Sequence, residues 1–173
     1  MIFTGIKRKS NQIFFNKRLP ELLNNINEVS SKNLTNILVI ADDISVKDGI
    51  LANLIDVLKI SESNIEFVIF QQKIPKENEL SYVYSFKDFG WYGKVNSAAL
   101  KNILTKKYDL LINYSKVDNL YNNLLILQCE AGFKVGFASL DNRLYDLLID
   151  CKPTEISLFN KELKKYLEIL NKI

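Results

Sequence analysis

Asp42 and Asp43 close the apolar run NILVIADD, and two later apolar runs end in Asn113 with Lys116, and in Asp141 with Arg143. Carboxylates, amides and cations therefore stand where short buried strands would end. Adjacent carboxylates at such a place suit a metal ion or a ribose, and equally suit a polar turn and the N-cap of the next helix. Asn113, Lys116, Asp141 and Arg143 form a mildly anion-friendly set, although the same residue types are also ordinary turn chemistry. The chain has no histidine, so the commonest general base and metal ligand at neutral pH is missing, and acid–base chemistry would fall to a carboxylate. Cys129 and Cys151 lack any CxxC spacing and read as buried free thiols. No set of residues names a reaction: no catalytic residue, metal ligand or cofactor is assigned, and the chain reads as a binding protein more than as an enzyme.

Two further groups bear on partners. Lys7, Arg8, Lys9, Lys17 and Arg18 all precede the first acidic residue, Glu21, so the first twenty residues carry +5 and the remainder −2 of a net charge of +3. Phe3, Ile6, Ile13, Phe14 and Leu19 would line one side of a helix there, with the basic residues towards water. Such a segment suits RNA or a ribonucleoprotein, an anionic membrane surface, or packing on its own domain. In SYVYSFKDFGWYGKV, Lys87, Phe89, Trp91 and Lys94 interleave aromatic and basic groups around Gly90 and Gly93. That pattern serves stacking on bases or sugars beside phosphate, or a small self-packed loop. GWYG lacks the glycine spacing and terminal lysine of a phosphate-binding loop.

The elements that must position these groups follow from periodicity. NILVIADD, IEFVIFQ, SYVYS, YDLLIN, FKVGFAS and YDLLID are short and rich in branched or aromatic residues, as buried strands are. Helical spacing is expected from about Val46 to Ile60, Ala98 to Lys106, Val117 to Ala131 with Gly132 as its cap, and Thr154 to the end. Pro20 predicts a break near Leu19 before a second helical piece, PELLNNINEV. A strand, helix and strand from Tyr108 through FKVGFAS make a βαβ unit. At 173 residues and 47% hydrophobic, one core is expected: residues 1–30 as a basic amphipathic helical segment, residues 31–173 as a single Rossmann-like α/β domain. The predicted class is three-layer α/β with a mostly parallel sheet of five or six strands. No apolar run is long enough to span a bilayer, and a cytoplasmic location is expected.

KDFGWYGKV, DLLINYSK, AGFKVGF, LYDLLID and ELKKYLEILNKI resemble, over nearly the whole chain, a family of short bacterial proteins of unknown function. Over about forty residues, YDLLINYS, LLILQCEAG and FKVGFAS are also similar to part of the ADP-heptose type of glycosyltransferase, which implies a sugar nucleotide held between two Rossmann-like domains.

Two functions from different classes are expected from these readings. One is a cytoplasmic binding or adaptor protein for an anionic macromolecule, RNA or a ribonucleoprotein ahead of a membrane surface, using Lys7, Arg8, Lys9, Lys17, Arg18 and the Lys87, Phe89, Trp91 and Lys94 loop. The other is a nucleotide or sugar-nucleotide site at the carboxyl edge, using Asp42, Asp43, Asn113, Lys116, Asp141 and Arg143. A structural subunit with a protein partner is the third expectation.

Overall fold

The structure, a computed structural model, describes residues 2–23, 34–73 and 80–173. Helix α1 (Ile2–Leu23) is followed by strand β1 (Ile37–Ala41), helix α2 (Lys47–Leu58) and strand β2 (Ile65–Phe70). Strand β3 (Val83–Tyr84) leads through an aromatic hairpin into α3 (Ala98–Leu104), then β4 (Lys107–Tyr108) and β5 (Leu110–Asn113). Helix α4 (Leu120–Gln128), β6 (Glu130–Ala131), β7 (Lys134–Phe137), β8 (Leu147–Ile149) and α5 (Ile156–Ile169) complete the chain.

The main sheet has six strands in the order β3-β2-β1-β5-β7-β8, and every pair is parallel. A parallel sheet needs cover on both faces, and the alternation of β1 shows where the cover lies. Ile37, Val39 and Ala41 join Ile50, Leu54, Phe159 and Leu163 in one core, under α2 and α5. Leu38 and Ile40 join Leu100, Ile103, Leu124, Leu125, Phe15 and Leu19 in the other, under α1, α3 and α4. This is the expected three-layer Rossmann-like arrangement. The near-repeat YDLLIN and YDLLID supplies β5 and β8, which sit in the same sheet on either side of β7.

Three local expectations change. α1 runs through Pro20 without breaking at Leu19. A helical proline frees the carbonyl four residues earlier, and here both Pro20 and Asn16 are exposed, so water can take that bond. The second helical piece, beyond Leu23, lies outside the described residues. α4 stops at Gln128, short of Gly132. The next residues turn extended because Glu130 and Ala131 pair with Lys107 and Tyr108 in a two-stranded sheet, and Gly132 donates its N–H to the Tyr108 carbonyl at 2.9 Å. Cys129 therefore follows the helix instead of lying within it. It is buried, its thiol pushed up to about 12 by desolvation, while Cys151 is half-buried; both are free thiols.

α1 is not an appendage to this core. Phe15 and Leu19 are buried with α4, and the flank of the helix holds the aromatic hairpin. Ser10 Oγ accepts from Tyr92 N–H at 3.2 Å and Asn11 Oδ1 from Gly93 N–H at 2.8 Å. Gly93 has φ of +71°, and a Cβ there would lie 2.3 Å from the Phe14 ring. Gly93→Ala combines backbone strain with that clash, so it should cost about 1–3 kcal/mol of unfolding free energy. Urea denaturation measures this, and an unaltered midpoint would mean that the Phe14 contact is dispensable.

Candidate functional site

Order β3-β2-β1-β5-β7-β8 reverses direction between β1 and β5, and in open parallel sheets ligands collect outside the carboxyl ends at such a reversal. Asp42, Asp43 and Lys116 do meet there. Asp42 Oδ2 accepts the backbone N–H of Lys116 at 2.8 Å and of Val117 at 3.4 Å, while Oδ1 is buried with no donor among the described residues. Asp43 Oδ1 caps the turn Ile44–Val46 by accepting from the Ser45 amide, and Asp43 Oδ2 takes the Lys116 ammonium at 2.7 Å. The pair thus serves as a backbone clamp and a helix cap, and no cluster of three or more His, Cys, Asp or Glu positioned for a metal exists among the described residues.

Asn113 is also spent. Its Nδ2 donates to the Tyr145 hydroxyl at 2.7 Å and its Oδ1 accepts from Ser115 N–H at 2.9 Å. The bonds continue inward: Asn122 Nδ2 donates to Ser115 Oγ at 2.6 Å, and the Tyr84 hydroxyl donates to Asn122 Oδ1 at 2.5 Å. Tyr84, Asn122, Ser115, Asn113 and Tyr145 form a polar chain across the carboxyl ends of the sheet. Burial holds the Tyr84 phenol well above its ordinary pKa.

The open space lies on the α1 side of this edge. A cleft of about 1440 Å³ runs from the ends of β2 and β3, past the start of α4, to the turn after β7. Phe70, Phe86 and Tyr121 give it an aromatic wall, with Phe70 stacked on Tyr121 at 5.9 Å between ring centroids. α1 lines the opposite side with Thr4, Arg8, Gln12 and Phe15, which recur at helical spacing.

Charge in the cleft divides sharply. Among the described residues, its three carboxylates are already engaged. Asp88 accepts from Ser85 N–H at 2.7 Å in a capping box, and Asp118 accepts from Asn123 and from Asp141 N–H. Asp141 caps the turn Asn142–Leu144 and grips Arg143 in two bonds of 2.8 and 2.6 Å, which lowers its own pKa and raises that of Arg143. Arg8, Lys73 and Lys87 are exposed in the cleft wall and have no carboxylate within ion-pair reach among the described residues. Arg8 stands close enough to the Tyr121 phenol to oppose the rise that burial imposes on it. The α4 N-terminus adds little, because Asn119 Oδ1 already accepts the amides of Tyr121 and Asn122.

The residues chosen from sequence thus separate into several groups. Of the N-terminal cations, Lys7 turns inward and donates to the Phe89 carbonyl at 2.8 Å and the Phe86 carbonyl at 3.3 Å. Arg8 faces the cleft, Arg18 pairs with Glu21, and Lys9 and Lys17 face solvent. Phe89 is fully buried against Tyr121 and Tyr84, so it packs the core instead of offering a surface; Trp91 and Lys94 are exposed. Lys87 and Arg143 join the cleft, although the sequence pattern places them with different partners. Lys73, Phe70 and Tyr121 were missed: Lys73 lies in a polar loop, and the two rings read as core until α1 leaves a gap beside them.

The family profile of DUF6913, described as a family of unknown function, matches residues 7–170. The chain belongs to DUF6913. The match takes in Arg8, Lys73, Lys87 and Arg143, and with them nearly the whole cleft. No curated protein and no solved structure matches the chain. The similarity found over the whole chain is thus to a family that brings no activity with it.

The Lys116–Asp43 contact makes an acid-range prediction. Its partners hold the Asp43 carboxyl down at about 2, with the Lys116 hydrogen bond the largest cause, against about 3.9 for an unfolded aspartate. The unfolded chain therefore binds the proton first. The stabilisation is complete above the unfolded value and is lost as pH falls through about 2. Lys116→Met should move the Asp43 titration up towards the ordinary carboxylate range and lower stability most above the unfolded value, the deficit shrinking as pH falls towards about 2. Carboxyl NMR titration with acid unfolding reads both, and an unmoved Asp43 titration would refute the assignment.

Proposed function

We propose that this DUF6913 chain is a ligand-binding domain without catalytic machinery of its own, which takes a phosphorylated, ring-bearing small molecule of the nucleotide or sugar-nucleotide class. The observation that carries the reading is the imbalance inside the cleft. Asp88, Asp118 and Asp141 are engaged by the protein's own donors, while Arg8, Lys73 and Lys87 have no carboxylate within ion-pair reach among the described residues. Arginine offers a planar bidentate fork to phosphate and lysine a mobile point charge. The wall of Phe70, Phe86 and Tyr121 supplies the apolar and aromatic surface that a base or sugar ring stacks on. Such a pairing of ring wall and exposed cations is the ordinary composition of a nucleotide site.

RNA or a ribonucleoprotein draws less support from the geometry. Lys7 and Phe89 are consumed internally and Arg8 and Lys87 line the cleft, which leaves Lys9, Lys17, Lys94 and Trp91 facing outward.

A thermal-shift screen of nucleoside diphosphates, triphosphates and sugar nucleotides tests the proposal. At ligand concentrations about a hundredfold above Kd, the melting temperature should rise by about 5–10 °C. Arg8→Ala or Lys87→Ala should weaken binding roughly tenfold, as expected for loss of a charge-assisted hydrogen bond. Stabilisation that survives both substitutions places the ligand elsewhere, and no response to any phosphorylated compound discards the reading.

A further inference from the structure

We infer that the outward side of α1, together with the tip of the aromatic hairpin, is a docking surface for an anionic lipid bilayer. A helix packed on its own domain normally turns its apolar residues inward. Here Phe3 is 79% exposed, Ile6 50% and Ile13 55%, and the neighbouring hairpin exposes Trp91 at 45% and Tyr92 at 63%. The inward side of α1 is already filled by Asn11, Phe15 and Leu19, so these outer side chains are surplus to the fold.

Their arrangement is regular. Phe3, Ile6, Lys9, Ile13 and Lys17 follow one another at intervals of three or four residues, which sets them in one stripe along the helix. Ile6 and Ile13 stand two turns apart, about 10 Å along the axis, with the Lys9 ammonium between them. The hairpin is fixed beside this stripe and not free to swing. Tyr92 and Gly93 donate backbone N–H groups to Ser10 and Asn11, and Lys7 donates to the Phe89 carbonyl. Trp91 and Tyr92 therefore flank the helix over the stretch that carries Ile6 and Ile13.

Charge decides the occupant. α1 holds no acidic residue before Glu21, which is paired with Arg18, and Lys9, Lys17 and Lys94 are exposed without an ion-pair partner among the described residues. Cations interleaved with aliphatic side chains match an anionic lipid surface, where apolar groups enter the headgroup boundary and ammonium groups stay among the phosphates. Nucleic acid would gain from the lysines and from Trp91, but it offers no apolar receptacle for Phe3, Ile6 and Ile13. Interfacial tryptophan and tyrosine are at home at headgroup depth. No described helix is long and apolar enough to cross a membrane, so the contact is a peripheral one. Phe3, Ile6, Lys9, Ile13, Lys17 and Trp91 all lie outside the cleft, and the inference is independent of what the cleft binds.

Trp91 is the chain's sole tryptophan, so intrinsic fluorescence reports on this surface directly. The full chain is titrated with vesicles of phosphatidylcholine alone, with vesicles containing phosphatidylglycerol, and with a single-stranded RNA homopolymer. Expected are a blue shift of Trp91 emission and co-sedimentation with the anionic vesicles only, both reversed by high salt. Lys9→Gln and Lys17→Gln should each weaken vesicle binding roughly fivefold. The Ile6→Ser, Ile13→Ser double variant should weaken it about tenfold or more. These positions are exposed, so an unchanged unfolding midpoint certifies the variants. Absence of any vesicle response in the unmodified chain overturns the inference. So does binding that the Ile6 and Ile13 changes leave intact, or a Trp91 response to RNA without one to anionic vesicles.

Discussion

Phe15 and Leu19 bury against α4, and along the flank of the same helix Lys7, Ser10 and Asn11 bond to the backbone of the aromatic hairpin. Much else depends on this docking. It covers α4, it gives the cleft a second wall, and it turns one stripe of α1 to solvent. Burying two large apolar side chains supplies the driving force, on the order of 1.5–3 kcal/mol each. The polar contacts supply the register. A lysine donating to two carbonyls and an asparagine accepting one particular amide meet those partners in only one rotation of the helix about its axis. Directional bonds thus decide which cations point into the cleft and which point away.

The carboxyl edge of the sheet follows the same division between apolar drive and polar placement. Alternate residues of β1 feed two separate cores, which is what a parallel sheet covered on both faces requires. Where the strands end, buried amide and hydroxyl side chains bond to one another on both sides of the sheet. Tyr84, Asn122, Ser115, Asn113 and Tyr145 link up on the α4 side. On the other, Tyr114 bonds to Asn160, which bonds to Asn53 of α2. Such chains are costly when half satisfied and rigid when complete. They explain why groups that resemble a ligand site in the sequence, Asn113 above all, are consumed by the scaffold, and why the space left for a ligand lies beside the strand reversal on the α1 side.

Some of this arrangement was legible in the residues alone. Short runs such as NILVIADD and YDLLIN declare buried parallel strands because no polar face interrupts them, and Leu54 and Leu58 declare an amphipathic helix by spacing. Asp42, Asp43 and Lys116 meet at one edge, since parallel strands carry their carboxyl ends to the same side. Pro20 misled because its cost depends on whether water can reach the carbonyl it frees, and exposure is not written in the local sequence. Gly132 misled because an extended partner, Lys107 and Tyr108, competes for the residues after Gln128. The N-terminal cations were read as one cluster, although side chains one or two positions apart on a helix diverge by 100° or more.

Periodicity and composition, which act over a few residues, determined by themselves that this chain makes a mostly parallel α/β sheet with a cationic first helix and no histidine-based chemistry. Tertiary packing decided what each charge is for. Whether a lysine serves the fold, the cleft or the outer surface depends on which carbonyl or carboxylate lies within about 3 Å of it. Those neighbours come from residues some eighty positions away, as the Lys7 bonds to Phe86 and Phe89 illustrate.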